Sequence, residues 1–286
     1  MLHQAAARAA AQQAPTASAP SDLVRLTGVS HTFPSRSGAP AVKALGPLDL
    51  SLRKGEFFSV VGPSGCGKST LLEIVAGLIR PTEGSAEFDS APIGSRVPDG
   101  IGVVLQEDAS FPWLTVWDNL LFGLRRSGVP AGIAQQKVDW ALKLTGLSQF
   151  QKAYPSQLSG GMRQRVCIAR TLVMEPRLIL LDEPFGALDQ QTRLLMGDEV
   201  LKLWRATGAT IMLITHALDE AAMLSDRVGV MSARPGRFIE VVETGWSADR
   251  DSRIAASEKF GGLTAHLWSL LRNESIQASA ASERIR

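Results

Sequence analysis

Cysteine is scarce in this 286-residue chain: Cys66 and Cys167 are its whole complement. Two thiols build no disulfide framework, so the fold must rest on its core, and a reducing compartment, the cytoplasm, is the natural setting. Long apolar runs are missing too. The longest, such as Leu178–Leu181 and Ile211–Ile214, are about four residues, against the roughly 20 that span a bilayer. The chain is therefore expected not to cross a membrane by itself. Charge of one sign is also lacking, because 30 Lys and Arg face 28 Asp and Glu for a net charge of +2. That balance leaves no basic stripe of the kind that displaces counterions from a phosphate backbone, and argues against nucleic acid as the main partner.

What is present is ordinary globular material, 45% hydrophobic and 20% charged, enough for one large α/β domain with an appendage. Residues 1–22 stand apart. They are rich in Ala and Gln, interrupted by Arg8 and by Pro15 and Pro20, and lack the Leu/Val core of a signal peptide, so a disordered N-terminal tail is expected.

From Leu23 strand-like runs begin: Leu23–Leu26, Leu48–Leu52 and Phe57–Val61. After Val61 comes a glycine-rich turn, and then Leu71, Ile74, Val75, Leu78 and Ile79 recur at helical spacing until Pro81. Ile101–Leu105 reads as a further strand. Helical stretches near Val116–Leu124 and Ile133–Thr145 fall in a segment of different texture, read as a helical subdomain at about 107–160 inserted into the core. Alternation then resumes with a helix from Gly161 to Val173, a strand at Leu178–Leu181, a helix from Arg193 to Thr207 and a strand at Thr210–Thr215. Continuous apolar strands alternating with helices predict a mostly parallel sheet covered on both faces. No internal repeat is found. Ile254–Leu271 is expected to form a terminal helix, with Trp268 and Leu270–Leu271 packing on the core or on a partner, and a polar, frayed end from Asn273.

Two pieces carry chemistry. Gly62-Pro63-Ser64-Gly65-Cys66-Gly67-Lys68-Ser69 fits the P-loop pattern G-x-x-x-x-G-K-[ST] between a predicted strand and helix, with Thr70 next in line. Glycines let the loop turn its amides toward phosphate oxygens, and the helix adds its positive end. Lys68 is placed to reach the β- and γ-phosphates of ATP, and the Ser69 hydroxyl to ligate Mg²⁺. The second piece is Asp182-Glu183 at the end of the Leu178–Leu181 strand, on the side where parallel sheets bind ligands. Asp182 suits Mg²⁺, and Glu183 suits a base that takes a proton from the attacking water.

With Leu158-Ser159-Gly160-Gly161-Met162-Arg163-Gln164-Arg165 added, the chain resembles the ABC transporter ATPase family over roughly Leu23–Val242. The resemblance implies a P-loop NTPase fold: a mostly parallel sheet core, an antiparallel β portion and the inserted helical subdomain. It places an ATPase domain at 23–245 and a partly helical extension at 246–286. It further implies that Ser159, Gly160 and Gly161 face the γ-phosphate on an opposite subunit, so that a homodimer sandwiches two ATP molecules. Met162 departs from the family's usual glutamine, which removes one polar contact. By the same resemblance Gln106 is the Q-loop residue sensing Mg²⁺ and the attacking water, Ala187-Leu188-Asp189 is the D-loop, and His216 is the switch histidine on the γ-phosphate. Phe33 falls where the family stacks an aromatic on adenine, and it fits a core position as well. Cys66, beside Lys68 and a helix N-terminus, is expected to have a lowered thiol pKa, so that alkylation blocks ATP binding.

Phe111-Pro112-Trp113-Leu114-Thr115-Val116-Trp117-Asp118-Asn119 and Met231-Ser232-Ala233-Arg234-Pro235-Gly236-Arg237 resemble the importer branch that handles nitrate, sulfonates and taurine. Each segment also has a plain reading, as subdomain core and as an ordinary turn. The branch implies integral membrane permease subunits as partners, indirectly a substrate-binding protein, and a peripheral position on the cytoplasmic face of the membrane. Phe111 and Trp113 are the expected anchors for a permease helix. Other importers, exporters, a soluble ABC ATPase and a non-hydrolysing scaffold are the alternatives. The stretch from Gln106 to Ser159 is too short for the coiled coils of DNA-repair relatives, and Glu183 and His216 speak against a scaffold.

Overall fold

A computed structural model describes residues 22–34, 41–94, 96–105, 109–186 and 188–283. The chain opens with two long strands, β1 (Asp22–Phe33) and β2 (Val42–Arg53), then β3 (Phe57–Val61) and α1 (Lys68–Val75). Next come β4 (Glu83–Phe88), β5 (Ala91–Pro92), β6 (Ile101–Val104), and three helices, α2 (Val116–Arg126), α3 (Ala131–Leu144) and α4 (Gly160–Leu172). The second half runs β7 (Leu178–Asp182), α5 (Gln190–Thr207), β8 (Thr210–Ile214), α6 (Leu218–Leu224), β9 (Arg227–Met231), β10 (Phe238–Glu243) and α7 (Glu258–Glu283).

The strands form two sheets. One is antiparallel, in the order β2-β1-β4-β5; the other has six strands in the order β10-β9-β3-β8-β7-β6. In the second, β9, β3, β8, β7 and β6 run parallel, and β10 closes one edge antiparallel to β9.

The parallel strands are apolar on both faces because both faces are covered. Phe57, Val61, Ile179, Leu181, Ile211 and Leu213 pack into a cluster with α4, α5, α6 and α7. Their neighbours Phe58, Val60, Leu178, Leu180, Met212 and Ile214 point the other way, into a cluster with α1 and the antiparallel sheet. This two-residue alternation is what a pleated strand dictates. Phe57 and Phe58 are fully buried, each stabilising the fold by about 1.5–3 kcal/mol relative to exposure. A third cluster joins α2, α3 and α4 through Val116, Leu120, Val138 and Val166.

The register sets the carboxyl ends of the parallel strands side by side: Val60 pairs with Ile214, Ile214 with Asp182, and Leu181 with Val104. Segments leaving β3, β7, β8 and β9 therefore meet at one edge of the sheet, the usual place for a ligand.

Several elements differ from expectation. α1 ends at Val75 instead of running toward Pro81, because Gly77 adopts φ 72° and its N–H bonds back to the Ile74 carbonyl, a left-handed stop that glycine tolerates. The last helix is longer than expected and continues past Asn273 to Glu283. Phe260, Leu267 and Leu271 bury on the core while Trp268 stays exposed.

Candidate functional site

The turn after β3 is built by crowding. A Cβ on Gly62 would lie 2.9 Å from the Cys66 sulfur, and one on Gly67 would lie 2.7 Å from Leu45 Cδ2, so neither position accepts a side chain. Gly67 caps α1 at φ 111°, a conformation glycine enters freely. No acidic residue stands in the first turn of α1, so its positive end is left for an anion. Lys68 is buried, and its Nζ donates to the Gly62 carbonyl at 2.9 Å and the Pro63 carbonyl at 3.1 Å. The ammonium is thus held at the loop.

A cavity of about 330 Å³ opens over this loop, lined by Phe33, Val42, Gly65, Lys68, Ser69, Glu183 and Arg234 among others. Phe33 is 40% exposed and takes a wall of this cavity, not a place in the core.

Asp182 ends β7 half-buried. Burial, and next the charge of Glu183, push its carboxyl above the usual carboxylate range, opposed by the Lys68 charge and a hydrogen bond from Ser69. Glu183 has φ 43°, a left-handed backbone that costs a non-glycine residue about 1 kcal/mol or more. Its N–H donates to the Ile214 carbonyl at 2.8 Å, which pins that turn, and its Oε2 lies 3.1 Å from His216 Nδ1.

His216 is placed from below by residues the sequence did not bring forward. Thr215 Oγ1 donates to buried Glu220 at 2.6 Å and accepts the Ala217 N–H at 3.0 Å, while Arg193 lies 3.2 Å from the other Glu220 oxygen. Burial, its largest cause, raises the Glu220 pKa. The signal was the acidic residue four positions after His216, in the first turn of α6.

The remaining expected residues lie elsewhere. Ser159 caps α4, its Oγ accepting the Met162 N–H at 3.3 Å, and neither it nor Gly160 or Gly161 lines the cavity. Met162 packs partly buried on the α2–α4 cluster, so its side chain is a packing element. Asp189 caps α5 through the Thr192 N–H and hydroxyl, and these bonds lower its pKa. Gln106 and Ala187 lie outside the described residues.

One expectation is corrected. Cys66 is buried at 1% exposure, and burial outweighs the nearby Lys68 charge, so its thiol pKa is raised, not lowered. Its sulfur fills the space beside Gly62, and it belongs to the buried cluster that contains Leu45 and Met231.

Trp113 is 70% exposed and stacks on half-buried Phe111 at 5.5 Å, with Arg170 over the Phe111 ring at 4.7 Å. Neither aromatic belongs to the α2–α4 core.

Fold and cavity define a P-loop nucleotide-binding domain. A family model described as ABC transporter matches residues 45–186. An uncharacterized ABC transporter ATP-binding protein of Methanocaldococcus jannaschii is 48% identical over 210 residues, 73% of this chain and 78% of that protein. A taurine import ATP-binding protein of Pelagibacter ubique is 49% identical over 202 residues, 69% of this chain and 74% of that protein. Among solved structures, a dimeric ATP-binding cassette in a post-hydrolysis state bound to ADP and Pi is 31% identical, with a TM-score of 0.67 over 78% of this chain and 100% of its own. The cbiO1 protein of Clostridium perfringens, part of an ABC transporter complex, is 27% identical with a TM-score of 0.71 over 84% of this chain and 92% of its own. The chain belongs to the ABC transporter ATP-binding family, whose activity is ATP hydrolysis coupled to transport.

Proposed function

We propose that this chain powers an importer for a small anion of the nitrate, sulfonate or taurine type. The observation that carries the energy-converting half is the convergence of Lys68, Ser69 and Glu183 on one cavity, with His216 3.1 Å from the Glu183 carboxylate. The import half is supported by relatives named for taurine import, at 45–49% identity.

In this reading the Gly62–Thr70 backbone holds the phosphates of ATP, Lys68 contacts the β- and γ-phosphates, and Phe33 stacks on the base. Glu183 accepts the proton of the attacking water. His216 hydrogen-bonds the γ-phosphate and orients that water, and Gln106 senses it.

Mg²⁺ fits Ser69 and Asp182. Both offer hard oxygens, the two are hydrogen-bonded, and Asp182 carries a charge that burial and Glu183 disfavour. When bound, the ion supplies neutralisation of the phosphate oxygens.

Ser159, Gly160, Gly161 and Asp189 stand away from the cavity lined by Lys68, and this supports their serving the nucleotide of a second copy in a homodimer. Residues 23–245 form the ATPase domain in this reading, with the helical subdomain at about 107–160 and the extension at 246–286. No helix among the described residues is long and apolar enough to cross a membrane, and the chain sits peripherally on the cytoplasmic face of permease subunits served by a separate binding protein. Phe111 and Trp113 form the permease contact.

The test is reconstitution with a cognate permease and binding protein. ATP turnover and uptake stimulated by taurine, an alkanesulfonate or nitrate is the expected result. Stimulation by none of these, with ATP hydrolysis intact, would overturn the substrate class.

A further inference from the structure

The turn between β9 and β10 presses against the P-loop. Gly46 donates to the Gly236 carbonyl at 3.0 Å, Gly236 to the Ala44 carbonyl at 2.9 Å, and a Cβ on Gly236 would meet the Cys66 carbonyl at 2.2 Å. Arg234 rides on this turn, and its Nε donates to the Gly65 carbonyl at 3.0 Å. The guanidinium thereby lines the same cavity as Lys68 and Ser69. Among the described residues no carboxylate pairs with it. A guanidinium carries five donors in a planar fork suited to phosphate, and one is used on Gly65.

The turn is tied from a second side. The Ala233 N–H donates at 2.7 Å to Glu274 of α7, 41 residues further along the chain. Ser232 closes the turn by donating its N–H to the Arg237 carbonyl at 2.8 Å. The residue before Arg234 is thus fixed by the C-terminal helix.

We propose that Arg234 is a second cation of the nucleotide site, engaging the triphosphate of ATP from the rim while Lys68 does so from the loop, and that Glu274 is its positioning residue. The proposal rests on the P-loop cavity being the ATP site. It gives α7 a role in nucleotide affinity.

The experiment measures ATP and AMP binding to the full-length chain by calorimetry in a Glu183→Gln background, where turnover is removed. Arg234→Ala is expected to weaken ATP about tenfold, the equivalent of about 1.4 kcal/mol, and AMP less than threefold. Arg234→Lys should recover part of the loss. Glu274→Ala, which removes the acceptor for the Ala233 N–H, should weaken ATP about threefold and add nothing on top of Arg234→Ala. In the wild-type background Arg234→Ala should raise the KM for ATP about tenfold with kcat within twofold, whereas a residue that only supported the fold would lower kcat by reducing the active fraction. ATP affinity within twofold of the parent, or equal losses for ATP and AMP, would overturn the proposal. Lys68→Ala serves as the control: undiminished ATP binding there would sink the site reading itself, separately from Arg234.

Discussion

At the scale of single residues, the site is assembled from positions that sequence patterns report well and environments that they do not. The P-loop glycines were legible because Gly62 and Gly67 are required sterically and Gly65 and Gly67 by a left-handed backbone. Replacing Gly67 with Ala would drive a methyl to 2.7 Å from Leu45 Cδ2 at φ 111°, and the expected outcome is loss of nucleotide binding with a stability cost of about 1–3 kcal/mol; calorimetry and a thermal melt check both. Cys66 was misread because its charged neighbour is visible in sequence while its burial is not. Alkylation of native protein should therefore be slow at pH 7–8, with labelling appearing only as the chain unfolds, as mass spectrometry of timed iodoacetamide reactions would show.

Asp182 yields a pH prediction. Its folded pKa is raised by burial and by Glu183, so its contribution to stability is fully present below the unfolded value and is lost as pH rises through the raised one. Asp182→Asn should accordingly raise the Tm of the nucleotide-free protein at pH 7–8, with the gap narrowing toward pH 4, while abolishing hydrolysis. A lower Tm than wild type at pH 8 would contradict this account.

Among elements, the buried ones were the legible ones. β3, β7 and β8 are continuous apolar runs because both faces of the sheet are covered, and their ends fell within a residue or two of expectation. β4 was missed because Glu83–Phe88 is half polar and lies in the antiparallel sheet with only Ala86 and Phe88 buried. β10 was missed because an edge strand carries no buried pattern: its residues are half-buried or exposed. The reach of α7 past Asn273 was hidden by polar sequence, and the Glu274 contact to Ala233 is long-range. That helix is nonetheless part of the core through Leu267, which is fully buried. Leu267→Ala should cost about 2–4 kcal/mol, seen as a fall of about 5–10 °C in Tm; a change under 2 °C would mean that α7 is only loosely docked.

For the whole molecule, the aligned carboxyl ends of β3, β7, β8 and β9 explain why segments scattered from Gly62 to Arg234 share one cavity. Motif order announced most of that convergence. Arg234 could not be assigned to it from sequence, since an Arg-Pro-Gly-Arg turn is compatible with any exposed hairpin. Trp113, exposed and stacked on half-buried Phe111, lies outside the α2–α4 core, consistent with a surface meant for another chain. Replacing both with Ala should leave ATP affinity within twofold and abolish transport-coupled turnover in the reconstituted complex, and unchanged uptake would remove them from the interface.

The central claim is that Glu183, held in its left-handed turn beside His216, takes the proton from the attacking water. Single-turnover hydrolysis of ATP with Mg²⁺ by wild type and Glu183→Gln, with gel filtration of both, tests it most directly. The account predicts that the variant binds ATP, elutes as an ATP-dependent dimer and hydrolyses at least about 10²-fold more slowly than wild type; hydrolysis by the variant within a few fold of wild type would contradict it.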